Sequence, residues 1–332
     1  MDKKVLVIGG AGFIGMNIVK TLTERSGYYI TIGDNFFRGK MDDQLKALVD
    51  ENNIKVVSAD FTEAASFDQL DKDYDHIYML ASVVGVEYTH KIPNELIRIN
   101  TALIFNTLEW IKNTDCKKIL FTSTSECYAG TIEAFGYDVP TTEEVPLTIQ
   151  DIKHPRFTYA VTKMLGESGF IQYSNVYGFE ATIVRYHNVY GPRMGFKHVI
   201  PQVVQRFLAN ENPFKVYGYN QTRAFNYIDD AVAGTIGAME STNTDGEIIH
   251  IGDMKSEITI EELVRFIGNQ LDYQGIYERQ GAHSGSVSRR CPDTSKATKL
   301  MGYEPKVHWE EGVKKTVDWY VEYLKSGQNV FE

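Results

Sequence analysis

The chain alternates short, continuously apolar runs with longer amphipathic stretches, and this alternation restricts its fold more than any other feature. The runs are VLVIGG (5–10), YYITIGD (28–34), IKVVSAD (54–60), HIYMLAS (76–82), KKILFTSTS (117–125) and ATIVRYHNV (181–189). None shows the in–out alternation of a half-exposed strand; continuous apolarity suits strands buried on both faces, as in a parallel sheet. Segments with helical spacing lie between them, among them GMNIVKTLTERSG (15–27) and NTALIFNTLEWIKN (100–113). Repeated strand–helix–strand order over about 190 residues predicts an α/β fold with a doubly wound parallel sheet of the Rossmann type.

The pattern then loosens. Residues 188–214 carry turn chemistry and one helix, 226–240 a further helix and 247–252 a strand, and 259–271 and 309–324 are amphipathic helices. The expected division is a Rossmann domain from 1–188 plus 224–252 and a smaller mixed α/β lobe from 189–223 plus 253–325. The lobe is expected to sit over the carboxyl ends of the strands, where open α/β sheets bind ligands. A length of 332 residues accommodates both parts. With 34 Lys+Arg against 44 Asp+Glu, a net charge of −10 argues against wholesale binding to nucleic acid or anionic membrane, yet leaves room for a local basic pocket. No apolar run is long enough to span a bilayer, and MDKKVLVIGG enters a strand without a signal peptide's apolar region, so a cytoplasmic location is expected. Three widely separated cysteines (Cys116, Cys127, Cys291) without a CxxC pair fit reduced thiols. Eight histidines without HExxH or clustered ligand spacing predict no metal site.

The first strand runs into GGAGFIG. Gly10, Gly12 and Gly15 satisfy GxGxxG, and Gly9, Gly12 and Gly15 the wider GxxGxxG. Glycines permit the tight turn and let backbone N–H groups approach a pyrophosphate at a helix N-terminus, where the dipole favours anions. Asp34 follows at the end of the second strand, placed to accept from adenosine ribose hydroxyls and to repel a 2′-phosphate, which favours NAD over NADP. Arg38 and Lys40 oppose that preference in part. Asp60 and Phe61 either border the adenine or are a strand-end carboxylate and a core ring.

Residues 159–163 read YAVTK. On a helix Tyr159 and Lys163 share one face. Bringing a phenol from pKa about 10 to about 7 requires about 4 kcal/mol. An ammonium at about 4 Å supplies about 1 kcal/mol in water but about 4 kcal/mol at an effective dielectric of 20. The pair therefore works as a base only in a partly desolvated cleft, with a nicotinamide cation helping. Thr124 adds a strand-end hydroxyl.

GGAGFIG, Asp34, STSECY, YAVTK, RYHNVYGPR, QTRAFNYIDD and RRCPDTSKATKLMGYEPKV, in this order, resemble the extended short-chain dehydrogenase/reductase family in its nucleotide-sugar epimerase/dehydratase branch, from about residue 3 to 325. The resemblance implies NAD as cofactor, a nucleotide-diphosphate sugar as substrate, and Thr124, Tyr159 and Lys163 as the catalytic set. Tyr159 would take the C4 hydroxyl proton while C4 gives hydride to NAD; Thr124 would hydrogen-bond that oxygen, and Lys163 would hold the nicotinamide ribose. Phe13, Ile14, Asn35, Ala81 and Asn100 would join the cofactor site, although Asn100 also reads as a helix N-cap. Asn188 would contact the diphosphate through its amide. Arg223 and Arg290 would bind phosphate or else form surface ion pairs. Glu87 would face the sugar or sit in a salt bridge. A homodimer would form through helices around 100–113 and 159–175.

Two residues after the catalytic hydroxyl distinguish the branches. The 4,6-dehydratases carry an Asp-Glu pair to protonate the departing hydroxyl and to deprotonate C5; Ser125 removes that acid. Simple 4-epimerases commonly lack the carboxylate. Thr124-Ser125-Glu126 most resembles the UDP-glucuronate decarboxylases, in which C4 oxidation turns the C5 carboxylate into a labile β-keto acid, with Glu126 part of the catalytic set and Ser125 against the substrate. Glu87-Tyr88-Thr89 is a weaker echo of one subgroup. Cys127 and Ala129 depart from that branch's Val and Gly, and LASVVG lacks its proline. Cys127 follows its strand as a small apolar residue would and reads as packing. The expected activity is NAD-dependent C4 oxidation followed by C5 decarboxylation. A 4-dehydrogenase releasing the 4-keto sugar and a 4-epimerase are the alternatives. A non-catalytic dinucleotide-binding relative is a separate class, which loss of Tyr159 or Lys163 would have favoured.

Overall fold

The computed structural model describes residues 2–282 and 286–326. Strands β1 (Lys3–Ile8), β2 (Tyr28–Asp34), β3 (Lys55–Ser58), β4 (His76–Met79), β5 (Lys118–Thr124) and β6 (Glu180–Tyr186) join Ile248–Ile251 in one sheet. The order is Ile248–Ile251, β6, β5, β4, β1, β2, β3, and every pairing is parallel. The winding reverses between β1 and β4, so a crevice opens at their carboxyl ends. Val5, Leu6, Val7 and Ile8 are all fully buried. Val5 and Val7 pack with Ile18, Val19 and Leu22 on one face, and Leu6 and Ile8 with Ile104 and Leu108 on the other. Both faces need apolar residues, and each such side chain contributes roughly 1.5–3 kcal/mol of burial.

The flanking helices are α1 (Phe13–Thr23), α2 (Asp43–Asn52), α3 (Val86–Lys91), α4 (Pro93–Ile111), α5 (Ala129–Phe135) and α6 (Thr158–Tyr177). Several boundaries differ from the sequence expectation. The helix expected at 100–113 begins at Pro93, where a fixed φ and a missing N–H cost nothing in the first turn. Asn100 is therefore mid-helix, not an N-cap. The run at 54–60 is strand only over Lys55–Ser58, and that at 76–82 only to Met79. Beyond Met79, Leu80 and Ala81 N–H both donate to Ile8 O at 2.9 Å, turning the chain across the crevice. The run at 181–189 divides at Asn188, where φ is +38°; Val189–Tyr190 pairs instead with Asn226–Tyr227. The helix expected from 226 starts at Ile228.

Beyond the large sheet lie helices Val199–Leu208, Ile260–Gln270 and Trp309–Lys325, which share a core cluster with its strands. Thr259 and Glu262 form a reciprocal capping box at the second of these. Thr222–Ala224 lies between Glu257–Thr259 and Arg289–Arg290 in a small sheet whose register sets Arg223 beside Arg290. That pairing fixes two cations over the crevice.

Candidate active site

A cleft of about 730 Å³ runs along the sheet's carboxyl edge, lined among others by Gly12, Asp34, Ala81, Thr124, Tyr159 and Arg290. Its floor is the glycine turn. Gly9 has φ +89°, and a Cβ there would lie 2.7 Å from Ala81 N. A Cβ on Gly15 would lie 2.3 Å from Gly9 O, so only glycine lets α1 start this close beneath the turn. Asp34 closes the far side: Oδ2 accepts from Ala11 N–H at 2.9 Å and Oδ1 from Phe36 N–H at 2.8 Å. Burial pushes its pKa up, while these N–H donors oppose the rise. Phe13, Ile14 and Asn35 line the same end of the cleft, and Asn35 Oδ1 accepts from Phe37 N–H at 3.0 Å. Gly39, which the motif reading passed over, has its Cβ position 2.3 Å from Ala11 O and forms part of that wall. An open backbone cradle beside a hydrogen-bonded carboxylate fits a dinucleotide.

Asp60 is at the cleft's exposed edge, its carboxylate accepting from Thr62 N–H at 2.9 Å. Phe61 borders the cleft, but its ring is only 3% exposed and packs on Phe67 at 5.0 Å beneath Gly33. Asn100 stands behind the cleft wall, 2% exposed. Its Oδ1 accepts from Val83 N–H at 2.7 Å and its Nδ2 donates to Val83 O at 3.1 Å. The amide thus clamps the segment after β4 that lines the cleft.

At the cleft's centre Lys163 Nζ donates to Thr122 O at 2.8 Å and sits 4.7 Å above the Phe121 ring and 5.7 Å from the centroid of the Tyr159 ring. Burial pushes its pKa down from 10.5 to about 8. Tyr159 shares this buried setting. Burial pushes its phenol up, reinforced by Cys127 and Glu126, and Arg38 is the cation that opposes the rise. Loss of solvent is the largest influence on the phenol, and the Lys163 ammonium beside it donates to the Thr122 carbonyl. Thr124 ends β5 opposite Tyr186, and its Oγ1 accepts from Glu126 N–H at 3.3 Å.

The buried ammonium gives a stability prediction. Below pH 8 Lys163 is charged in folded and unfolded chains alike, and the cost of burying it is felt in full. Between pH 8 and 10.5 the unfolded chain keeps a proton the folded one has lost, so stability rises with pH. Lys163→Met is expected to raise stability near pH 7 by about 1–2 kcal/mol, after allowance for the Thr122 carbonyl left unpaired. The gain should fade towards pH 10.5 in thermal unfolding across that range.

Beyond Thr124 lies a group absent from the sequence reading as a unit. Glu126 meets Arg290 Nη1 at 2.7 Å and Arg156 Nη2 at 3.5 Å. Burial alone would raise its pKa, but Arg290 and then Arg156 outweigh it and hold the carboxyl at about 2. Arg223 is lowered to about 9 by burial, then by repulsion from Arg290. Its Nη1 donates to Thr222 O at 2.7 Å. Three guanidiniums thus surround one carboxylate. Arg290 Nη2 and Arg156 Nε are buried without a hydrogen-bond partner, donors that an additional anion would satisfy. Arg156 went unnoticed in the sequence, although it lies three residues before Tyr159, one helical turn away.

Other residues fall differently. Glu87 pairs with Lys91 and, at 3.2 Å, with Lys197, which takes up its carboxylate. Asn188 borders the cleft, with Nδ2 donating to Ala224 O at 3.0 Å. Ser125 borders it also, 3% exposed. Cys127 is fully buried, and burial pushes its thiol up to about 12, the opposite of an activated nucleophile.

Comparison with known proteins agrees with this geometry. The model of the NAD dependent epimerase/dehydratase family matches residues 5–252. The chain is 33% identical to a UDP-N-acetyl-alpha-D-glucosaminuronate decarboxylase of Bacillus cytotoxicus, over 97% of this chain and 99% of that one. It is 30% identical to a UDP-glucuronate 4-epimerase of Thermodesulfobacterium geofontis, over 96% and 97%. Among solved structures, UDP-glucuronic acid 4-epimerase from Bacillus cereus, in complex with UDP-glucuronic acid and NAD, superposes with a TM-score of 0.83 at 25% identity, over 96% and 99% of the two chains.

Proposed function

Since the chain belongs to the NAD dependent epimerase/dehydratase family, we propose that it oxidises C4 of a UDP-linked uronic acid and then releases the C5 carboxyl group as CO2. The observation that carries this reading is the set of arginines around Glu126, with unpaired donors on Arg290 and Arg156 beside Thr124.

NAD would lie along the glycine turn and Asp34, supplying the two-electron acceptor for the C4 hydrogen. Tyr159 takes the C4 hydroxyl proton and Thr124 hydrogen-bonds the same oxygen. The phenol must first become acidic, and the cations this chain brings to it are Lys163 and Arg38. Once C4 is a ketone, breaking the C5–C6 bond sends its electron pair to O4 as an enolate. The Tyr159 and Thr124 hydroxyls then stabilise that oxygen. The uronate carboxylate takes the unpaired donors of Arg156 and Arg290. Because Glu126 already shares those cations, the carboxylate is held without being fully neutralised, and its departure as uncharged CO2 relieves the crowding. Asn188 and Arg223 face the diphosphate.

Supplying UDP-glucuronate and UDP-N-acetylglucosaminuronate separately, while following CO2, NADH absorbance and the product's NMR spectrum, tests this reading. Stoichiometric CO2 from either is expected. A C4 epimer that retains its carboxyl group, a 4-keto uronate released with NADH, or no turnover of either uronate overturns the decarboxylation; no turnover of any UDP-, GDP-, CDP- or dTDP-sugar in a panel leaves a dinucleotide-binding relative.

We further place the protein in the cytoplasm as a homodimer. Cys116, Cys127 and Cys291 are all unpaired and buried. Ile97 and Phe105 on α4 are each 42% exposed, and Val161 and Leu165 on the adjacent α6 are 37% and 39% exposed. Apolar side chains spaced for one helix face on two neighbouring helices support a four-helix interface. Sedimentation equilibrium at micromolar concentration should return twice 37.7 kDa.

A further inference from the structure

Behind the arginine set lies a second polar group that the chemistry above leaves unused. Tyr128, His187 and His250 are buried to within 1% of full occlusion. Tyr128 Oη meets His187 Nε2 in a short hydrogen bond and His250 Nε2 at 3.2 Å. His250 Nδ1 lies 3.1 Å from Asp293 O, and Glu143 Oε1 accepts from the His250 backbone N–H at 2.8 Å. The charged groups facing the cluster include Arg185, 5.6 Å from the centroid of the Tyr128 ring, and Glu143, 3.7 Å from His250 Nδ1, with Arg290 acting on His187 and Tyr128 and Asp293 and Lys296 on His250. Burial keeps both imidazoles neutral.

Partner chemistry then dictates where every proton sits. A carbonyl can only accept, so His250 Nδ1 carries its ring's one N–H and His250 Nε2 is a bare acceptor. Only the Tyr128 hydroxyl can donate to that acceptor. Having spent its proton there, the Tyr128 oxygen accepts from His187 Nε2–H. His187 Nδ1 is left as a bare lone pair, and it is the buried ring nitrogen without a partner, which costs less than an unpaired N–H. The chain runs one way, from His187 through Tyr128 and His250 to Asp293.

Its members flank the groups that hold the anion. Tyr128 ends the short helical turn that carries Glu126 (Ser125–Tyr128). His187 precedes Asn188, and Asp293 stands three residues after Arg290. We propose that Tyr128, His187 and His250 are positioning residues for the decarboxylation step, a directional hydrogen-bond chain that holds the Glu126 turn in register with the Arg290 strand. It does not touch Tyr159 or Lys163, so it governs the fate of the 4-keto uronate and not its formation. The catalytic part rests on the function proposed above.

Two measurements test it. In the full-length ligand-free protein, ¹⁵N-histidine NMR near pH 7 should show His187 protonated at Nε2 and His250 at Nδ1; the opposite tautomer or an imidazolium at either ring overturns the chain, whatever the substrate. With UDP-glucuronate, Tyr128→Phe removes both hydrogen bonds of the hydroxyl and should slow CO2 release roughly tenfold or more, while first-turnover NADH formation changes less than twofold. NADH and 4-keto uronate then accumulate. His250→Asn keeps a donor towards Asp293 and removes the acceptor for Tyr128, so it should give the same split and serves if Tyr128→Phe does not fold. Equal losses in both steps, or none in either, refute the positioning role. If the parent protein releases no CO2 from either uronate, the proposed function fails and with it the catalytic part, while the NMR result still decides the chain itself.

Discussion

Tyr159→Phe is expected to lower turnover of the uronate by about 10²–10⁴-fold, the range for removing a positioned acid–base group. The loss should appear in the first step, as absent NADH formation, with NAD binding retained because the glycine turn and Asp34 are untouched. The structure sharpens this expectation. In its buried setting the phenol is pushed above its ordinary pKa, so it can take the C4 hydroxyl proton only once neighbouring cations bring it down. Thr124 alone cannot replace it, since an aliphatic hydroxyl is a far weaker acid. Turnover in the variant above about a tenth of the parent's rate would remove Tyr159 from the mechanism. Stopped-flow absorbance with UDP-glucuronate measures it directly.

The second large effect concerns stability. Arg185 on β6 is 2% exposed and grips Glu167 of α6 through two parallel hydrogen bonds of 2.9 and 2.8 Å. Ser123 of β5 donates to the same carboxylate, and Arg185 Nη1 donates to Glu143 O at 3.2 Å. These contacts join two neighbouring strands to the helix that carries Tyr159 and Lys163. Arg185→Leu leaves the Glu167 charge buried and unpaired, at a cost of about 3–5 kcal/mol. The double variant Arg185→Leu/Glu167→Leu should recover most of that loss, because buried ion pairs replaced by apolar side chains are often near neutral. Urea unfolding of the parent, the single and the double variants checks both statements. A single variant within about 1 kcal/mol of the parent contradicts the argument, since it would mean the carboxylate finds water or a proton at little cost.

How much of this was legible beforehand depends on how local the cause is. The sheet was, because continuous apolarity over four to eight residues is a property of the run itself and has few other solutions. So was the glycine turn with Asp34, where spacing alone brings backbone N–H groups and a carboxylate to one strand end. Tyr159 and Lys163 were placed together by helix periodicity. Boundaries were read less well where polar residues start an element, as at Pro93, or where a strand changes partners at Asn188. The Phe61 ring was left open between adenine and core, and its packing on Phe67 beneath Gly33 draws it into the core.

The residues themselves determined the α/β fold class, the glycine turn and the shared helix face of Tyr159 and Lys163, because each follows from local spacing and composition. Tertiary structure alone decided three things. It set the Lys163 ammonium to donate to Thr122 O. It gathered Arg156, Arg223 and Arg290 around Glu126 from segments as much as 164 positions apart. And it threaded Tyr128 between two imidazoles from segments 63 positions apart in the chain, His187 and His250. Charge and burial act through space over a few ångströms, and a linear pattern carries no record of which distant side chains that distance will include.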